Sequence, residues 1–170
     1  MYKRQCINRL DRDTTGLTIV AKHALAGGIL GNAVAKRAIH RTYYAVCSGC
    51  TPACMRISAP IARKDASTIE RCVDFKRGEN AVTDFIRIKY NPDNNLSLVK
   101  LRLLTGRTHQ IRVHMKYIGF PLIGDFLYNP DYTYISRQAL HSGRLVFTHP
   151  VTGQKMNLIS DIPSDMKSLF

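Results

Sequence analysis

Asp11 stands in residues 8–16, NRLDRDTTG, between Arg9 and Arg12 and just ahead of an apolar run. Cations nearby favour the charged form of a carboxylate, and a charged carboxylate in a cationic pocket serves as nucleophile or general base. Two other chemistries use the same residues. Asp and Thr side chains bond their own backbone in turns, so Asp11 or Asp13 could simply cap one. The pair could also hold magnesium through carboxylate oxygens, which the interleaved Arg9 and Arg12 disfavour.

A second candidate constellation is residues 105–115, TGRTHQIRVHM. Gly106 ends a strand, Arg107 stands at the turn, and the helix N-terminus that follows favours anions. Arg112, one turn further in, could pair through its planar fork with a buried carboxylate, or could face solvent from an amphipathic helix. His109 and His114 are five apart and do not share a face as metal ligands four apart do, so zinc is not supported. Cys47, Cys50 and Cys54 contain one CxxC spacing, but Cys72 stands alone where a zinc ribbon needs a second close pair. No metal is expected. Tyr43 and Tyr44 alternate faces of a strand, so one of them can enter a site beside the sheet.

These residues need elements to carry them. Residues 17–22 (LTIVAK) are a short apolar run that predicts a buried strand. Residues 23–39 follow with Leu25, Ile29 and Ala33 at i, i+4 and i+8, a stripe widened by Leu30 and Val34, an amphipathic helix weakened by Gly27, Gly28 and Gly31. Residues 42–47 (TYYAVC) read as a strand, and SGCTPAC after them as turn. VTDFIRIKY (82–90) and LSLVKLRLL (96–104) alternate around NPDNN and predict a hairpin. Thr108 is the N-cap candidate for a helix with Ile111, Met115 and Ile118 on its apolar face and His109, Arg112 and Lys116 opposite. Two further strands, 145–148 and 156–159, flank the turn 149–154. Strands outnumber helices and hairpins dominate, so the expected class is α+β, a mixed, mostly antiparallel sheet flanked by helices.

The chain has 170 residues, the size of one domain, and its 45% hydrophobic and 22% charged residues exclude disordered, collagen-like and coiled-coil classes. Its net charge of +13 points to a phosphate-rich polymer or anionic surface as partner. Residues 14–64 and 94–124 contain no acid, whereas Asp65, Glu70, Asp74, Glu79, Asp84 and Asp93 cluster between them. If the two acid-free stretches meet in space they form one basic surface with an acidic edge. The longest uncharged run near the N-terminal end, residues 24–35, is short of the roughly 20 apolar residues that span a bilayer. No secretory signal is legible at residues 1–5, and five cysteines cannot all pair within one chain, so a cytoplasmic, reducing setting is expected.

Four blocks together carry a resemblance. RLDRDTTGLTIVAK (9–22), RTYYAV (41–46), LLTGRTHQIRVHMKYIGFPLIGD (103–125) and ALHSGRLVFTHPVTG (139–153) resemble, in the same order, the RluA-type family of pseudouridine synthases. The resemblance covers most of the chain. It implies isomerisation of uridine in RNA to its carbon-linked isomer, with no cofactor and no metal. Asp11 matches the family's catalytic aspartate, which attacks the flipped uridine or assists elimination to a glycal. Tyr43 matches the tyrosine that stacks on the detached uracil and is a candidate proton acceptor, and Arg112 matches the basic residue that pairs with the aspartate. Arg9 stands where relatives fill the gap left by the flipped base.

Arg12, Arg41, Arg107, His109, Gln110 and Lys116 are the further residues expected to meet RNA, a ribosomal or transfer RNA stem-loop. The chain departs from the pattern at Asn8, where relatives carry histidine, and at Asn129, where many carry glycine. It also starts ten residues before Asp11, where relatives place strands and a Lys-Pro-x-Gly segment. The expectation is therefore one catalytic domain over residues 1–170, short at its N-terminal end and without a separate RNA-binding module. A non-catalytic RNA-binding remnant of the same fold is the alternative, and a metal-dependent nuclease built on Asp and His ranks last.

Overall fold

The computed structural model describes residues 4–65 and 69–170. In chain order the first elements are β1 (Gln5–Cys6), β2 (Thr15–Gly16), β3 (Val20–Ala21), α1 (Ala24–Ala35), β4 (His40–Ser48), β5 (Cys54–Ser58), β6 (Ile61–Arg63) and β7 (Arg71–Val73). The remainder are β8 (Val82–Asn91), β9 (Leu96–Leu103), α2 (Gln110–Tyr117), β10 (Leu140–Thr148), β11 (Lys155–Ile159) and α3 (Ser164–Lys167). The main sheet has seven strands in the order β11-β10-β4-β9-β8-β5, with β2 joined in parallel to β10 and all other pairings antiparallel. Two small ribbons, β1-β3 and β6-β7, stand beside it.

The expected β8–β9 hairpin forms, and its inward-pointing apolar residues divide between the two faces of the sheet, while Ile86 and Ile88 stay about half exposed. Phe85, Val99 and Leu101 join Tyr43, Ala45 and Cys47 of β4 on one face, and Ile111 and Met115 of α2 cover them. Burying each such side chain contributes roughly 1.5–3 kcal/mol. On the other face Val46 and Leu96 pack against Ile123, Ile135, Ala139 and Met166 of α3. Because side chains alternate, Tyr43 faces α2 while Tyr44 packs on the opposite side.

Several expectations change in detail. The strand at 17–22 shrinks to Val20–Ala21, with Val20 exposed. Residues 54–58, at the end of the turn-rich stretch, form the edge strand β5, completed by pairing with β8 rather than by its own pattern. Helix α1 buries Ala26, Gly27 and Leu30 and leaves Leu25, Ile29 and Val34 exposed, so of the expected stripe only Leu30, with Ala33 packed beside it, faces the core. At Gly27, on this buried face, an added Cβ would come 2.6 Å from the tip of the exposed Gln5 side chain, a flexible group that can turn aside. In α2 the cap position belongs to His109, in the left-handed region at φ 55°, not to Thr108.

Candidate active site

The loop bearing Asp11 is pinned at both ends. After it, Thr15 and Gly16 pair with His141 and Ser142 of β10, and the Thr15 hydroxyl meets His141 Nδ1 at 2.9 Å. Gly16 is at φ 103°, and a Cβ would fall 2.3 Å from the Ser142 carbonyl oxygen, so glycine is required for this contact. Thr14 N–H donates to the Asp11 carbonyl at 3.1 Å, closing a turn. Buried Gln138 donates from Nε2 to the Arg12 carbonyl and to Thr14 Oγ1. Before the loop, Asn8 is buried and bonds the backbone of Leu17 and Ile19, a structural brace at the position where relatives carry histidine.

Arg112 is 1% exposed, so although it stands opposite the apolar stripe of α2 it does not face solvent, and of its two expected fates the pairing with a buried carboxylate is the one observed. A buried guanidinium needs compensation, and two carboxylates supply it. Arg112 Nε and Nη2 donate to Asp125 Oδ2 and Oδ1, each at 2.7 Å, a two-point pair with both partners buried. Its third edge, Nη1, donates to Asp11 Oδ2 at 3.2 Å. Phe126 and Tyr128 lie with ring centres 5.4 and 5.0 Å from the guanidinium carbon, within cation–π range. Burial penalises the Arg112 charge, but Asp125 and then Asp11 outweigh it and hold its pKa above the ordinary value. Sequence reasoning assigned no role to Asp125; the one available signal is the Gly124-Asp125 pair that closes the block 103–125.

Asp11 lies in a cleft of about 720 Å³ between the N-terminal loop, β4 and the segment leading into α2. Arg9, Arg37, Arg41, Arg102, Arg107 and Arg112 line it, with Asp11 as its single acid. The two acid-free stretches therefore do meet, through Arg37 and Arg41 from one and Arg102, Arg107 and Arg112 from the other. The acidic edge is largely spent on neighbours: Arg56–Asp84, Lys64–Glu70 and Arg77 with Asp65 and Asp74 pair away from the cleft.

Tyr43 and His109 also line the cleft. Burial pushes the Tyr43 phenol pKa above its usual value, Arg41 opposes this and the Asp11 charge adds to it. His109 Nδ1 meets the Tyr128 hydroxyl at 2.9 Å, and burial lowers the His109 pKa. The Tyr128 hydroxyl accepts the Arg71 N–H at 2.9 Å, which leaves its own proton for His109 Nδ1. Arg107 is held at the rim by Glu79 and by the Asn80 carbonyl at 3.1 Å.

Three of the residues expected to contact RNA sit differently. Gln110 is buried, with its amide bonded to Thr105, Arg107, Val82 and Thr83, so it braces the cleft wall rather than offering a free group. Arg12 is exposed beside Asp13 at 3.6 Å, and Lys116 lies 5.5 Å from the Tyr128 ring centre; neither is among the cleft-lining residues. Among the described residues no three His, Cys, Asp or Glu side chains gather as a metal-ligand set.

A family model described as RNA pseudouridylate synthase matches residues 2–117, well over half of the chain and every element that carries Asp11, Tyr43 and Arg112. The chain belongs to this RNA pseudouridylate synthase family. Among its relatives in the family, the uncharacterized RNA pseudouridine synthase YjbO of Bacillus subtilis is 47% identical over 166 residues, covering 96% of this chain and 57% of that relative. Ribosomal large subunit pseudouridine synthase D of Zymomonas mobilis is 37% identical over 174 residues, covering 96% and 54%. The chain thus spans about half the length of the curated relatives it matches. A solved structure of human RNA pseudouridylate synthase domain containing 1 superposes with a TM-score of 0.81 at 25% identity, over 94% of this chain and 69% of that one. The α+β class with its mostly antiparallel sheet is thus that of this pseudouridylate synthase family, as the motif blocks imply.

Proposed function

We propose that the chain is the catalytic core of an RNA pseudouridine synthase, which turns a uridine within structured ribosomal or transfer RNA into pseudouridine. One observation carries this: Asp11 is the single acid in a cleft of six arginines and is paired with a buried one. Such a cleft attracts a phosphate backbone and concentrates one reactive carboxylate where a nucleotide comes to rest.

A stacked base hides its glycosidic bond, so the target nucleotide must leave the helix at a cost of a few kcal/mol, which phosphate contacts from Arg41, Arg102 and Arg107 offset. The C1′–N1 bond then breaks, the uracil turns, and a C1′–C5 bond forms. N1 ends with a proton and C5 loses one, so the change is redox-neutral and needs no group donor. Asp11 drives the bond breaking, as nucleophile or as base. Tyr43 offers its ring as a platform on which the detached uracil turns, since stacking accepts a rotating base without fixing its edge. With its phenol pKa raised, Tyr43 works as a neutral group. Arg9, which lines the cleft, fills the space the base vacates in this reading.

Asp11, Tyr43 and Arg112 come from three separate elements and converge in one cleft, which does not favour the non-catalytic remnant. The same proposal places the protein in the cytoplasm, where its RNA is and where five free thiols stay reduced. The test is release of tritium from RNA labelled at uracil C5, with an RNA map of pseudouridine in cells with and without the gene. Asp11→Asn should lose on the order of 10³-fold in rate while RNA affinity stays within about threefold. Full activity of Asp11→Asn, or an unchanged map, counts against the proposal.

A further inference from the structure

We propose that Asp125 is a positioning residue for this reaction: by taking the Nε–Nη2 edge of Arg112 it turns the guanidinium so that only Nη1 is left for Asp11. The inference rests on the uridine-isomerising function proposed above, and goes beyond it by naming what orients the arginine.

A guanidinium beside a single carboxylate settles into a two-point pair, which is the stronger geometry. Here that geometry belongs to Asp125, at 2.7 and 2.7 Å, while Asp11 receives one longer contact at 3.2 Å. Among the described residues this is the one ion pair of the Asp11 side chain, and it engages Oδ2. Oδ1 is thereby kept out of the arginine's fork and available to a substrate. Without Asp125, Arg112 could swing its free fork onto both oxygens of Asp11 and blunt the group that must react.

Asp125 is itself held rigidly. Gly124 is at φ 67°, and a Cβ there would lie 2.1 Å from the Arg137 carbonyl oxygen, so glycine is what lets the chain fold inward at this point. Asp125 Oδ1 then accepts the N–H groups of Leu127 and Tyr128 at 3.0 and 3.2 Å, and its carbonyl accepts those of Tyr128 and Asn129. The same short segment brings Phe126 and Tyr128 against the guanidinium. Residues 124–129 thus form a cup whose charged floor fixes the plane of Arg112, and Asp125 itself is fully buried, away from any substrate.

Two measurements on the full chain test this. In the unmodified protein, 15N NMR of the Arg112 guanidinium should resolve separate Nη–H signals, because two-point pairing arrests rotation; one averaged signal overturns the proposal. In kinetics, Asp125→Asn should lower kcat by at least about 30-fold with KM and RNA affinity within about threefold, and Asp125→Glu should recover part of the loss. In an Arg112→Gln background the Asp125→Asn change should cost less than about threefold more, since its action runs through the arginine. Multiplicative losses in that double variant overturn the proposal, and the NMR result stands even where a variant fails to fold. The two failures are separable: an inactive unmodified protein removes the functional proposal, whereas an active one indifferent to Asp125→Asn removes the role of Asp125 alone.

Discussion

Arg112 Nη1 reaches Asp11 Oδ2 at 3.2 Å although 101 residues separate them in the chain. One end of this pair is buried and the other opens to the cleft, with side-chain exposures of 1% and 19%. The cation is thus a fixture of the core, and the carboxylate is its accessible terminus. That asymmetry is what the proposed reaction asks of Asp11: its partner is desolvated, while the acid stays open to the cleft.

Removing Arg112 leaves Asp125 buried and unpaired. Arg112→Ala should therefore lose about 3–5 kcal/mol of stability, and Arg112→Lys should lose much of that because an ammonium cannot reproduce the fork. Urea denaturation reads both. An Arg112→Ala protein as stable as the parent would show that the pair has no such weight.

RNA affinity should fall steeply with salt, since five arginines besides the buried Arg112 line the cleft. Arg102→Ala should weaken binding about equally for different RNA sequences and reduce the slope of log K against log salt by about one. Filter binding across a salt series measures this, and a slope near zero would exclude phosphate contacts in the cleft.

Acid should destabilise the fold before it protonates the carboxylates. Burial lowers the pKa of His114, whose Nε2 bonds the Ala59 carbonyl and whose Nδ1 faces the Thr83 hydroxyl, both at 2.9 Å. Burial also lowers those of His109 and His141. A histidine with a depressed folded pKa binds more protons when unfolded, so its contribution is complete above the unfolded value, about 6.5, and is lost as pH falls below it. The urea midpoint should drop between about pH 7 and pH 5, and a flat profile there would contradict neutral, buried rings.

Gly16→Ala should cost at least about 2 kcal/mol and most of the activity, because the added methyl meets the Ser142 carbonyl and the backbone is at φ 103°. The β2–β10 pairing that anchors the Asp11 loop would have to open. Gly28→Ala is the control: a Cβ there meets nothing within 4 Å on an exposed helix position, so it should be neutral or stabilising by up to about 1 kcal/mol. Thermal melts of the two variants, with tritium release for the first, compare them.

Alternation and local turn chemistry are enough to specify β4, the β8–β9 hairpin and α2 from sequence, since each depends on periods of 2 or 3.6 residues. The same local information, with the motif blocks, marks Asp11, Tyr43 and Arg112. It could not mark Asp125, whose importance comes from meeting an arginine across a turn, nor show that Gln110 is spent on four bonds within the wall. Tertiary packing also chose the buried face of α1, where Ala26 and Leu30 meet Ile19, Ile39 and Leu145, and placed Arg112 in the core. Periodicity reports which side chains share a face, whereas the environment facing them depends on which distant segments the sheet draws together. A buried ion pair is such a long-range fact: its energy depends on desolvation and on a partner's exact orientation, neither of which is written in the spacing of residues along the chain.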